Sequence, residues 1–107
     1  MRIMERRSSA RVDVGIPVEF DTASEQGHGG ILQDLSGTGG LLLSRVQHEW
    51  HDTLVMRFRA QGPASELFEV RATIVRSEPN DPESVWPIQS AVQFEVEIDL
   101  NRDALKY

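Results

Sequence analysis

Gln33-Asp34-Leu35-Ser36-Gly37-Thr38-Gly39-Gly40, set between the apolar runs Ile31-Leu32 and Leu41-Leu42-Leu43, holds three glycines, a serine and a threonine in one short span. Such a span cannot be strand interior. It predicts a tight turn joining two strands, with glycines that supply positive φ or let something approach the backbone closely. If Asp34 to Ser36 is still extended, its alternating side chains put the carboxylate and the hydroxyl on one side of the sheet. On its own the stretch reads first as a Gly-rich hairpin with an Asx or Ser/Thr turn. The same two polar groups, beside bare backbone, also suit a flat ligand edge rich in donors.

Working outward, period-two alternation predicts strands on both sides of the turn. Val12, Val14, Ile16, Val18 and Phe20 alternate with Asp13, Gly15, Pro17 and Glu19, and Pro17 places that strand at an edge or bulge. Further strands are expected at about 30–35, 41–46, 53–59, 67–76 and 87–98, separated by polar and Gly/Pro-rich stretches at 21–29, 47–52, 61–65 and 77–84. Asn101 to Tyr107 has the composition of a short helix capped by Asn101. Six short strands argue for an all-β fold, a small six-stranded antiparallel barrel, because closure removes exposed edges. The expected organisation is one domain, an arginine arm over 1–11 and a barrel over 12–107.

Composition narrows the function classes. The chain has 107 residues, 39% hydrophobic and 26% charged, as in an ordinary globular domain. It has no cysteine, which excludes disulfides and thiolate chemistry. No run approaches the roughly 18 apolar residues of a membrane span, and the first residues have no apolar signal-peptide core, so a cytoplasmic location without membrane insertion is expected. The net charge is −6, yet residues 1–11 hold four arginines against Glu5, a net +3 that leaves −9 on the remaining residues. A local basic arm on an acidic body points to a compact anion; DNA or RNA would be repelled by most of the surface.

Within that arm, Arg7 and Arg11 lie four apart with small residues between them. An arginine fork pairs bidentately with phosphate or with the O6 and N7 acceptors of guanine, and stacks on flat rings. A solvated N-terminus that binds nothing has the same appearance. His48 and His51 are spaced i,i+3 and His28 is remote, so no metal site is expected and the histidines are read as surface residues. Trp50 and Trp86 are read as core or loop anchors. No catalytic motif is present: there is no nucleophile elbow, no Walker-type loop and no helix after the glycine turn.

Taken together, Arg7-Ser8-Ser9-Ala10-Arg11 and Asp34-Leu35-Ser36-Gly37-Thr38-Gly39 resemble the two motifs of the PilZ domain, Arg-x-x-x-Arg and Asp/Asn-x-Ser-x-x-Gly. The likeness runs from about Glu5 to Asp99, and Ala91-Val92-Gln93-Phe94 resembles the family's Gly-x-x-Phe strand with alanine in place of glycine. The resemblance implies a non-enzymatic receptor for cyclic di-GMP, with no other cofactor. Arg7 and Arg11 would engage phosphate and guanine, Asp34 would accept from guanine N1 and N2, Ser36 would add a hydrogen bond, and Gly39 and Gly40 would admit the ligand. Arg6, before the pair, is implied to favour two intercalated ligand molecules. Ligand would order the arm and present a surface to a downstream protein, in motility or biofilm control. The alternative is a PilZ-like interaction module that binds no nucleotide.

Overall fold

A computed structural model describes residues 12–100, with side chains from Gly15 onward. The arm over 1–11 and the expected helix over 101–107 lie outside the described residues. Six strands form: β1 (Val12–Asp21), β2 (His28–Ser36), β3 (Gly39–Ser44), β4 (Thr53–Arg59), β5 (Leu67–Pro79) and β6 (Ile88–Phe94). They close in the order β1-β2-β3-β6-β5-β4, every neighbouring pair antiparallel. Two three-stranded meanders, β1 to β3 and β4 to β6, are thus joined along two seams, β1 with β4 and β3 with β6. Closure leaves no full-length strand edge, which is the benefit the sequence reading invoked.

Alternation dictates the core. Ile16, Val18 and Phe20 point inward from β1, as do Leu54, Met56 and Phe58 from β4, and all are buried. Phe58 stacks between Phe68 and Phe94, with ring centroids 5.7 and 6.1 Å away. Each such side chain contributes about 1.5–3 kcal/mol by leaving water. Three bulges interrupt the alternation: one extra residue in β1 between Asp13 and Ile16, one in β2 between Leu32 and Asp34, and one in β5 between Ile74 and Arg76. The β2 bulge shifts the parity of the strand, so Leu32 and Leu35 are both buried although they are three apart.

Several expectations need correction. β5 runs on through Pro79, because Arg76 to Pro79 pair with β6, and the acidic loop starts only at Asn80. β6 stops at Phe94, short of the expected Ile98, and Val96, an apolar residue of the expected 87–98 strand, is 74% exposed. One more bond to β5 follows, from the Glu95 N–H to the Arg71 carbonyl at 2.9 Å, and the chain then turns to the hairpin, where the Ile98 N–H donates to the Gly37 carbonyl at 2.8 Å. Trp50 is no core residue. It lies exposed against His51, whose φ of 75° is an uncommon left-handed conformation outside glycine. Trp86 is half-buried, with the Arg45 guanidinium 5.4 Å from its ring centre.

His48 corrects the surface reading of the histidines. Its side chain is buried, edge-on to Phe20 at 5.8 Å, and Nε2 has no hydrogen-bond partner among the described residues. The His48 backbone N–H donates to Ser77 Oγ, itself 2.9 Å from Ser90 Oγ, which fixes the segment to the β5–β6 sheet. Burial pushes the ring's pKa below its usual value, against the smaller opposing pull of Asp52. A lowered folded-state pKa means that the unfolded chain takes up the proton first, so stability falls as pH drops below about 6.5. The melting temperature of the parent is expected to fall relative to that of His48→Leu as pH drops from 7 to 5. A constant difference between them would refute the neutral buried ring.

On the outer wall, Arg57 of β4 joins the two meanders. It donates bidentately to Asp21 of β1, at 2.7 and 3.0 Å, and reaches Glu19 at 3.4 Å and Glu69 of β5 at 3.7 Å. The guanidinium, helped by the Gly27 N–H, holds the Asp21 carboxyl down to about 2.

Candidate nucleotide-binding turn

The β2–β3 hairpin is closed by two residues, Gly37 and Thr38, between the paired Ser36 and Gly39. Ser36 is 1% exposed. Its Oγ accepts the Thr38 N–H at 3.2 Å, lies 3.2 Å from Thr38 Oγ1, and donates to the Gly39 carbonyl at 3.3 Å. This is a Ser/Thr turn that the hydroxyl closes on itself. Asp34 is half-buried and lies across from Asp13 of β1 on one side and Leu41 of β3 on the other, next to both bulges. Bulges re-aim side chains, and here two of them flank the carboxylate. The two polar residues that alternation placed together therefore differ: Asp34 keeps some exposure, whereas Ser36 is enclosed by its own turn.

The glycines have a cause that lies outside the turn. None of Gly37, Gly39 and Gly40 has positive φ; among the described residues Gly27, Gly62 and His51 do. A Cβ on Gly39 would overlap the Val92 carbonyl of β6, one on Gly40 would come within 2.5 Å of the Asp34 carbonyl, and one on Gly37 within 2.8 Å of the Ile98 carbonyl. Close approach is the reason, and the approaching group is the chain's own backbone. Phe94 N–H donating to the Thr38 carbonyl at 2.8 Å, and Ile98 N–H to Gly37, fasten the tip to the end of β6 and to the segment after it. Sequence reasoning passed over Thr38, whose exposed side chain stands at that tip, and Glu97, whose exposed carboxylate lies 3.5 Å from where a Gly37 Cβ would be. Neither is separable from ordinary loop polarity until the tip and the 95–99 segment are seen to touch.

Arg6, Arg7 and Arg11 lie outside the described residues. What is described is where their arm is attached: β1 begins at Val12, directly across from Leu35, and Asp13 is across from Asp34. The strand that follows the arginine pair in sequence thus begins beside the residues that open the glycine turn. Among the described residues no group of histidines and acids could hold a metal ion, and no helix is long and apolar enough to cross a membrane.

A closed β-barrel with a basic arm attached beside a carboxylate-bearing, glycine-packed hairpin defines a small binding domain. The chain belongs to the PilZ domain family, whose model matches residues 5–106. PilZ domains are regulatory receptor or adaptor domains. No curated protein matches the chain in sequence. Among solved structures, the Bacillus subtilis inhibitor of motility MotI/DgrA is similar with a TM-score of 0.70 and 18% identity, over 94% of this chain and 47% of that one. The PilZ domain of Escherichia coli YcgR, solved with c-di-GMP, is similar with a TM-score of 0.67 and 16% identity, over 91% of this chain and 84% of that one. The chain therefore spans about half the length of MotI, and at these identities the likeness is one of fold.

Proposed function

We propose that the chain is a non-enzymatic, cytoplasmic receptor for cyclic di-GMP, which it holds between the arm and the β2–β3 hairpin. The observation that carries this reading is the attachment of the arm at Val12, across from Leu35 and next to Asp34. Arg7 and Arg11 engage phosphate and the O6/N7 edge of guanine, and Asp34 accepts from N1 and N2; adenine would misplace both contacts. Ser36, Gly39 and Gly40 act through the shape of the turn, since their atoms are committed to it. Arg6 supplies a further cation for a second, intercalated ligand. Binding orders the arm and so presents a new surface to a downstream protein, with motility or biofilm control as the process.

Calorimetric titration tests the reading. Cyclic di-GMP is expected to bind with two molecules per chain, while GTP and cyclic GMP bind far more weakly or not at all. A stoichiometry of one would remove the role given to Arg6, and no heat with any nucleotide would remove the receptor reading. The alternative, an interaction module that binds no nucleotide, draws on one observation: the packing of Gly37, Gly39 and Gly40 and the enclosure of Ser36 explain those residues without a ligand.

A further inference from the structure

We propose that the groove between β5 and residues 95–99 docks an extended, basic segment of another protein as an added strand. β5 begins at Leu67, but β6 covers it only from Ala72, opposite Phe94, onward. The Arg71 carbonyl accepts the Glu95 N–H at 2.9 Å, so the backbone groups of Arg71 face the β6 side. By two-residue alternation those of Glu69 and Leu67 face it too, and among the described residues they have no ladder partner there. The chain that would have continued β6 swings away to seal the hairpin tip, leaving a groove of about 620 Å³ along this short open edge. An unpaired edge is a template for another strand.

The walls choose the occupant. Among the described residues, Glu69, Glu95, Glu97 and Asp99 line the groove with Arg71, and Glu69 also reaches Arg57 at 3.7 Å. Another copy of the same edge would bring four more carboxylates and be repelled, so self-pairing is disfavoured and a basic strand is attracted. Leu67 and Val96 are 47% and 74% exposed on the groove, apolar handles for the side chains that alternate with the basic ones. Glu97 and Ile98 both line the groove and lie against Gly37 of the hairpin tip, which would let nucleotide and partner sense one another. That linkage rests on the receptor reading; the docking does not, and it is tested without nucleotide.

The test titrates the full chain with the synthetic peptide Lys-Val-Lys-Val-Lys-Val-Lys and follows backbone amides by NMR. Shifts and slowed exchange are expected at residues 67–71 and 95–99. Glu95→Lys is expected to weaken binding at least tenfold, and Glu69→Pro, which removes an N–H facing the open edge, to abolish it. An equally tight complex with the Glu-Val counterpart, shifts elsewhere, or indifference to Glu95→Lys would overturn the proposal. So would amides of Leu67 and Glu69 already protected without peptide, the result expected if the chain's own residues 101–107 fill the groove.

Discussion

Arg11→Ala is expected to weaken cyclic di-GMP binding about 100-fold or more while leaving the melting temperature within a few degrees of the parent. Arg11 immediately precedes Val12 in sequence, and Val12 lies across from Leu35, the neighbour of Asp34. A bidentate guanidinium contact to phosphate or guanine consists of two charge-assisted hydrogen bonds, together about 3 kcal/mol or more, and about 1.4 kcal/mol is a factor of ten. The core of the described residues, from Ile16 to Phe94, is built from apolar side chains of the strands, so stability is not expected to follow affinity. Asp34→Asn is the companion measurement: it exchanges an acceptor for a mixed donor and acceptor, and is expected to erode the preference for guanine over adenine nucleotides more than it lowers affinity. Calorimetry reads both. Parent and Arg11→Ala titrating alike, with no heat in either, would support the interaction-module alternative.

The second large effect concerns folding. Gly39→Ala is expected to destabilise the barrel by about 2–4 kcal/mol, a loss of roughly 10 °C or more in melting temperature for a domain of this size. The obstacle to its methyl group is the Val92 carbonyl, part of the strand to which Gly39 is paired through Gln93, so no side chain can swing aside and the β3–β6 seam itself must open. Gly29→Ala is the control. A Cβ there meets nothing within 4 Å, its φ is not positive, and its effect is expected to stay within about 0.5 kcal/mol. Equal melting temperatures for the two variants would show that the hairpin can be lifted off β6 at little cost, and would undo the packing account of the turn.

Much of the fold was legible because β-strands advertise themselves locally. Ile16, Val18 and Phe20, or Leu54, Met56 and Phe58, alternate whether or not their partners are known, and each set is inward in the barrel. The misreadings share one cause, which is that the deciding partner is far away in sequence. Leu32 and Leu35 share a face only because β2 carries an extra residue relative to β3. Val96 continues a good alternating pattern, yet its neighbour Ile98 is bonded to Gly37 and the strand has already ended. His48 sits in a polar stretch with Glu49 and His51, and nothing there announces that Phe20 and Ser77 will enclose it. At the candidate site, the residue types of Asp34 and the arginine pair pointed to guanine chemistry. That Ser36 is occupied by its own hairpin follows from the Gly37–Thr38 turn geometry, and the reason for Gly39 lies on β6.

The seam between β3 and β6 also sets an order of events. Each meander consists of strands adjacent in sequence and forms from local contacts, whereas pairing Gly39 with Gln93 joins residues far apart along the chain and closes a large loop. Loop-closure entropy predicts that this seam, like the one between β1 and β4, forms after the meanders. A molecule held at the hairpin tip would grip the barrel at a late-forming joint, and is expected to slow unfolding more than it hastens assembly.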